Sequence, residues 1–396
     1  MRPILGRIAI VIQVLIILGC KNPNNEIDKL SYNTNYQDRF ELVNTKSVVI
    51  PLDSTQGFFN NSYSQFIDNS GKMIWSLLNK NTGVIHYYES EKGERLSSLK
   101  LHKEDGPNGI GFNLDLVTHL NISYDSILIY NGWTTEMILL NDRGEVMNKY
   151  LFSESEVFLN EGPFNISVTN DNRPIHIDGR VYFNLSYQPD SYANKGVTLV
   201  LDLKTGNFTT ENKPSDLYLD YCWGIPYSLN ILSVYNSHTK EFILSFGVDP
   251  YVYIWKENVL MTSRFVGSKY FYPKPFSEKL EDYLNKNNYQ QRLDKSQLSG
   301  KYYKIIYLEH PEIYLREVFL DRTPEELASR VSGLKKTFII SDSEMNPLGE
   351  FRVPEGQYFT SNFFVSKDGI YLANYEDYLT TEDSLTFDLY EPQTIY

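Results

Sequence analysis

An all-β fold of repeated sheets, closed by the chain's own N-terminal strand, is predicted by three features of the sequence. The first is composition: 14 % of the 396 residues are aromatic, led by 31 Tyr and 22 Phe. Tyr, Phe, Ile, Val and Thr suit half-buried pleated surfaces. The second is a recurring unit of strand, gap, strand ending in Asp, Asn or Ser, Gly-containing turn, and strand. The third is a pair of deficits that match. Residues 46–52 read as a strand without a partner, and the last unit lacks its final strand before Tyr396. Sheets repeated around an axis and closed in this way form a β-propeller. Six blades are expected, with seven as the alternative because residues 213–300 resist division.

The first 20 residues stand apart from that pattern. Arg2 and Arg7 are the only charges, and residues 8–19 form an apolar run too short to span a bilayer. The run closes on Ile17-Leu18-Gly19-Cys20, which reads as a lipobox. Residues 1–19 are therefore expected to be a lipoprotein signal peptide, with Cys20 as the lipid attachment site. Residues 20–39, polar and Asn-rich, read as a flexible tether, and residues 40–396 as the propeller domain.

Within that domain the first unit places strands at 71–77, 83–90 and 95–101, with Gly93 in the turn. The second places them at 126–130, 136–140 and 145–152, with Gly144 in the turn, a step of 51 residues. The third follows at 179–183, 197–202 and 207–210, around Gly206. Looser copies lie at 241–265 and 302–353, and a partial one at 369–390. Two short helical insertions interrupt the β pattern. Residues 277–287 carry Ser277 as N-cap with Leu280 and Leu284 on one face. Thr323-Pro324-Glu325-Glu326 is a capping box.

Charge and chemistry narrow the function classes. The formal charge is −13, and −15 once Arg2 and Arg7 leave with the leader, which argues against nucleic acid as a partner. Cys222 is the one cysteine left beside Cys20, so it reads as a small buried hydrophobe. The six histidines form no HxH, HxxxH or HExxH spacing, and neither a GxSxG elbow nor a P-loop occurs. No catalytic residue, metal ligand or cofactor is therefore assigned. Two similar segments, Glu104-Asp105-Gly106-Pro107 and Asn160-Glu161-Gly162-Pro163, fall where one blade crosses to the next. Asp105, Gly106, Pro107, Glu161, Gly162 and Pro163 are thus candidate ligand-facing positions. Trp133, beside Gly132, and Trp223, beside Gly224, are candidate stacking platforms for a sugar.

The lipobox, the Asn-rich tether, the Glu104-Asp105-Gly106-Pro107 crossing, Tyr302-Tyr303-Lys304-Ile305-Ile306-Tyr307 and Tyr314-Leu315-Arg316 together resemble a family of Bacteroidota lipoproteins. It is known as domain of unknown function 4221, and the likeness covers about residues 40–392. The resemblance implies a TolB-like, six-bladed propeller in the cell envelope and supplies no catalytic residues. The sequence thus points to an envelope lipoprotein whose propeller is a binding or scaffold module. Its partners would be the membrane, through lipid, and a protein, peptide or glycan ligand; Lys21 after Cys20 favours the outer over the inner membrane. The alternative is a glycan-directed hydrolase or lyase with its site at the propeller channel.

Overall fold

The computed structural model describes residues 36–395 except 54, 60, 104–105, 107–108, 112, 162–164, 187–195, 225–230, 278–281, 283–285 and 329–334. Cys20, Asp105, Pro107, Gly162, Pro163 and most of the helix expected over 277–287 therefore lie outside the described residues.

Six antiparallel sheets succeed one another along the chain. Blades 1 to 5 occupy residues 61–100, 117–151, 165–211, 231–265 and 301–352. The sixth combines Tyr358–Val365, Ile370–Asn374 and Ser384–Thr394 with Phe40–Pro51, which docks as the outermost strand. The register runs from Phe40↔Thr394 to Pro51↔Ser384, with a bulge between Asn44 and Lys46. Closure by the N-terminal strand and the count of six blades are thus as expected. The closing strand is tightly seated against blade 1: Gly93 has φ +70°, and a Cβ there would lie 2.1 Å from the carbonyl oxygen of Val49.

The observed unit differs from the expected one by a strand: five of the sheets have four strands, and that of blade 3 has five because its inner strand is split in two. The addition in blades 1, 2 and 6 is the innermost strand: Asn61–Ile67, Val117–Ser123 and Tyr358–Val365. Its buried positions include Asn61, Ser62, Ser64, His119, Asn121, Thr360 and Asn362. Those polar residues break the apolar alternation by which a half-buried strand is recognised. The middle strands are covered on both faces and read as apolar runs. In Met73–Asn79, Trp75 and Leu77 pack toward blade 6, where Trp75 stacks on Phe364 at 4.3 Å, while Ile74 and Leu78 pack toward blade 2.

Apolar clusters fill most blade boundaries. One joins blades 1 and 2, one blades 2, 3 and 4, one blades 5 and 6, and one blades 6 and 1. Blades 4 and 5 meet around Arg316, which is 1 % exposed. Its guanidinium donates to Ser245 Oγ (3.0 Å) and to the carbonyls of Pro250 (2.9 Å), Val266 (2.9 Å), Phe246 (3.3 Å) and Asp249 (2.6 Å). Its other face lies 3.9 Å from the Tyr302 ring centre. Five donors in a planar fork make Arg the side chain able to serve this many acceptors at once.

Short helices decorate the loops in greater number than expected. The capping box holds: Glu326 N–H donates to Thr323 Oγ1 (3.2 Å) and Thr323 N–H to Glu326 Oε2 (2.9 Å), starting the helix Pro324–Ala328. Ser277, at the start of the expected 277–287 helix that lies mostly outside the described residues, bridges to Cys222, and the next described α-helix is Tyr289–Leu298. Glu156–Glu161, Leu217–Asp220 and Tyr375–Thr381 are further short helices.

Candidate functional site

The centre of the ring is crossed by its own chain. Blade 3 starts its inner strand with Asn165–Ile166, leaves the sheet, and resumes with Ile175–Ile177. The excursion turns on itself through Thr169 and Asn172, whose backbones exchange hydrogen bonds of 3.2 Å. Its tip then engages the far blades. Asn170 accepts from Tyr63 N–H (3.1 Å) and donates to Asn61 O (3.1 Å) in blade 1 and to Asn362 Oδ1 (3.3 Å) in blade 6. Arg173 donates to Asn170 O (2.8 Å) and to Phe363 O (2.5 Å). Asp171 reaches blade 5, pairing with Lys304 Nζ (2.5 Å) and accepting from Tyr303 OH (3.0 Å).

Bulges prepare the other half of this contact. The registers of Lys301–Leu308 and Tyr358–Val365 slip between Tyr302 and Ile305 and between Phe359 and Phe363. A bulge re-aims side chains that a regular strand would hold in the pleat. Tyr303, Lys304, Thr360 and Asn362 sit in these two bulges. Lys304 Nζ also donates to Thr360 O and lies 3.4 Å from Glu317 Oε2. Thr360 Oγ1 joins Glu317 and Lys336, the latter at 2.7 Å. Phe363 lies between two cations, with Lys304 Nζ and Arg173 Cζ each 4.2 Å from its ring centre.

Electrostatics follow from that packing. Burial works to raise the Asp171 carboxyl, but the Lys304 charge and the hydrogen bonds outweigh it and hold the group below its usual range. Burial pulls the Lys336 ammonium below its usual value, opposed by Glu317. Asp171 is therefore a charge-compensated acceptor within a buried network, a poor arrangement for donating or abstracting a substrate proton.

Burial also perturbs His119, in the inner strand of blade 2. Its Nδ1 lies 3.0 Å from Ser62 Oγ and its Nε2 3.0 Å from Ser76 Oγ, and both serines belong to blade 1. Burial depresses its pKa to about 3, with Arg173 and Lys80 adding repulsion. The folded protein holds His119 neutral while the unfolded chain protonates it near 6.5. Stability from this residue is thus present above pH 6.5 and lost as pH falls toward 3. Between pH 7.5 and 4.5 the loss is expected to be on the order of 2–3 kcal/mol. Urea unfolding at both pH values checks this: His119→Gln should show a correspondingly smaller acid loss than the native protein, and an equal loss would contradict it.

Two solvent-accessible hollows share one face of the ring, while another, bounded by His238, Glu309 and His310, lies on the opposite face. Strand direction alternates within each blade, so starts of first and third strands and ends of second and fourth share a face. One pocket there, of about 320 Å³, is bounded by Trp223, Phe271, Lys274, Lys295, Lys301 and Arg322. A second, of about 400 Å³, is bounded by Phe59, Lys80, Asp115, Gly132 and the channel-crossing Asn170. Gly224 has φ +105°, and a Cβ there would lie 2.2 Å from Ser296 Oγ, so this glycine lets Trp223 close against the helix Tyr289–Leu298.

The expected site residues separate on this face. Trp223 is 8 % exposed, donates from Nε1 to Leu217 O (2.9 Å) and forms part of the first pocket's wall. Trp133 is 72 % exposed and follows Gly132 of the second. Gly106 is a bend whose carbonyl accepts from Gly109 N–H (3.1 Å). Glu161 ends the helix Glu156–Glu161. Cys222 is buried and unbridged. Among the described residues no three His, Cys, Asp or Glu side chains converge as a metal would require. The channel crossing and the basic pocket were not anticipated. The available signals were Lys304 inside an otherwise apolar strand and the charged run Asp171-Asn172-Arg173 beside a turn.

Residues 39–352 match the profile of the domain of unknown function DUF4221. The chain belongs to this family. A DUF4221 member from Bacteroides vulgatus ATCC 8482 has a similar crystal structure, with a TM-score of 0.73 at 20 % identity, covering 91 % of this chain and 100 % of that one. A candidate exported protein from Bacteroides fragilis NCTC 9343 aligns with a TM-score of 0.54 at 10 % identity, covering 90 % and 96 %. At such identities the likeness to these structures establishes the fold, which for DUF4221 here is the six-bladed propeller. No curated protein matches the chain.

Proposed function

We propose that this DUF4221 propeller is a lipid-anchored binding module of the bacterial cell envelope that takes its ligand on the loop-bearing face, beside Trp223. One observation carries the reading: the channel is occupied by the chain's own Asp171–Lys304 crossing, whereas the face above it keeps a pocket with an aromatic wall. A rigid ring with its variable loops gathered on one face is a common plan for recognition.

The anchor rests on the leader and on Cys20, and the Bacteroides fragilis relative's description as exported fits the same address. Among the described residues no helix is long and apolar enough to cross a membrane. The chain joins the ring at its outer edge, where Arg39 N–H donates to Leu348 O (2.7 Å) and Asp38 accepts from Glu350 N–H (3.1 Å). An outer-membrane address is favoured by Lys21.

Two measurements test the two parts. Cys20→Ala in a bacterial host should release folded protein from the membrane fraction; retention at high salt would show that the apolar segment is itself the anchor. A thermal-shift screen of the full-length protein against glycans and peptides should give hits that Trp223→Ala abolishes. Hits indifferent to Trp223 would move the binding site elsewhere.

A further inference from the structure

The pocket beside Trp223 has a charge opposite to that of the molecule. The chain carries −13, yet Lys274, Lys295, Lys301 and Arg322 bound this hollow, with Asp321 as the only carboxylate among the described lining residues. Asp321 is already engaged, accepting from Gly300 N–H at 2.7 Å. Among the described residues no carboxylate comes within 4 Å of any of the four cations.

Lys301 is the most confined of them. It opens the inner strand of blade 5, with Nζ 5.3 Å from the Tyr303 ring centre and 5.9 Å from that of Phe319. Burial pulls its ammonium below the usual value, Asp171 of the channel crossing opposes that pull, and Arg322 adds repulsion. The half-buried like charges of Lys301 and Arg322 disfavour one another, Asp171 and Glu326 offset them only from beyond 4 Å, and a ligand that brings negative charge lowers that cost. The cradle is also held in shape. Arg322 N–H donates to Leu298 O at 2.8 Å, and a Cβ on Gly300 would lie 2.3 Å from Phe319 O, so the two backbone segments that present Lys301 and Arg322 are pressed together.

We infer that this pocket binds a small organic anion, a carboxylate or phosphate carried on a body the size of a sugar ring. The volume of about 320 Å³ accommodates one such ring. The cations supply the charge contacts, and Trp223 and Phe271 supply apolar wall. This rests on the proposed binding function and names the chemistry of its ligand. Attraction at a concave basic site within an acidic surface gives selectivity by charge, and it weakens as salt screens it.

Isothermal titration of the full-length protein tests it with four probes: glucose 6-phosphate, glucuronate, neutral glucose and inorganic phosphate. Both sugar anions should bind at least tenfold more tightly than glucose, and should weaken several-fold between 50 and 500 mM salt. Inorganic phosphate should bind more weakly than glucose 6-phosphate, since it lacks the ring. Arg322→Met should lower the affinity for both sugar anions about tenfold. Lys295→Met, on the helix and away from the strand, should do so by a smaller factor and guards against misfolding of the first variant. Glucose binding as well as glucuronate would overturn the charge assignment while leaving a ligand-binding pocket in place. Absence of anion binding at millimolar concentration, or anion binding unchanged in both variants, would also overturn it. In either case the binding-module reading stands or falls separately, on the Trp223-dependent glycan and peptide screen.

Discussion

Lys304→Met is expected to destabilise the protein by about 3–5 kcal/mol, a fall in melting temperature of about 4–7 °C for a domain of this size. The side chain is 1 % exposed and is the shared cation of Asp171 and Glu317. Without it the buried carboxylates of Asp171 and Glu317 lose their shared partner. Breaking one member of a buried charge network costs far more than the intact network contributes, because desolvated charge is left uncompensated. The double variant Lys304→Met with Asp171→Leu should therefore recover part of the loss. Chemical unfolding of the two single variants and the double gives the coupling directly. A coupling near zero would mean that the crossing is held by Asn170 and Arg173 alone.

Arg316→Met is expected to cost a similar amount, about 3–5 kcal/mol. Five acceptors of blade 4 lose their donor at once, and Met cannot replace any of those bonds. Burial lowers the pKa of Arg316 to about 10, so it remains charged at neutral pH. Arg316→Lys keeps the charge and loses the fork, so it should restore less than half of the stability. The measurement is the urea midpoint at constant m-value. If Arg316→Lys matches the native protein, charge alone holds blades 4 and 5 together and the geometry of the fork is incidental.

These two residues also mark where the sequence was legible and where it was not. The outer three strands of most blades are written as β-branched and aromatic runs punctuated by Gly93, Gly144 and Gly206, all of which have positive φ. Blade number and closure follow from that spacing and from the unpartnered first strand. The inner strands are harder to see because their side chains serve polar networks: Ser62, Ser76 and His119 between blades 1 and 2, and Lys304 and Thr360 beside the crossing. A buried Lys or Arg in a strand reads like a solvent-facing one until its partners are known, and those partners are distant in sequence. Asp171 and Lys304 are 133 positions apart, and Arg316 and Ser245 are 71. The basic pocket is hidden for the same reason, since Trp223, Lys274, Lys295 and Arg322 come from separate segments of the chain. Turn chemistry, by contrast, is local. Asp342 accepts from Glu344 and Asn346 N–H as its context suggests. Asp249 departs from that pattern: it also lies buried against Ser215 Oγ (2.5 Å) and Tyr253 OH (2.7 Å), and burial raises its carboxyl above the usual range.

A propeller whose channel is shut by its own chain, leaving recognition to the loop face, can be tested by native-state hydrogen exchange over residues 165–174 and at Tyr63. The amide of Tyr63 donates to the Asn170 side chain, and those of Thr169 and Asn172 are tied within the crossing. If the crossing is a fixed part of the ring, these amides exchange as slowly as the blade 3 strand Arg180–Ser186, through opening that approaches global unfolding. Exchange within seconds across 165–174, with the blade strands still protected, would mean that the segment swings free of Lys304 and that the channel is open to ligands.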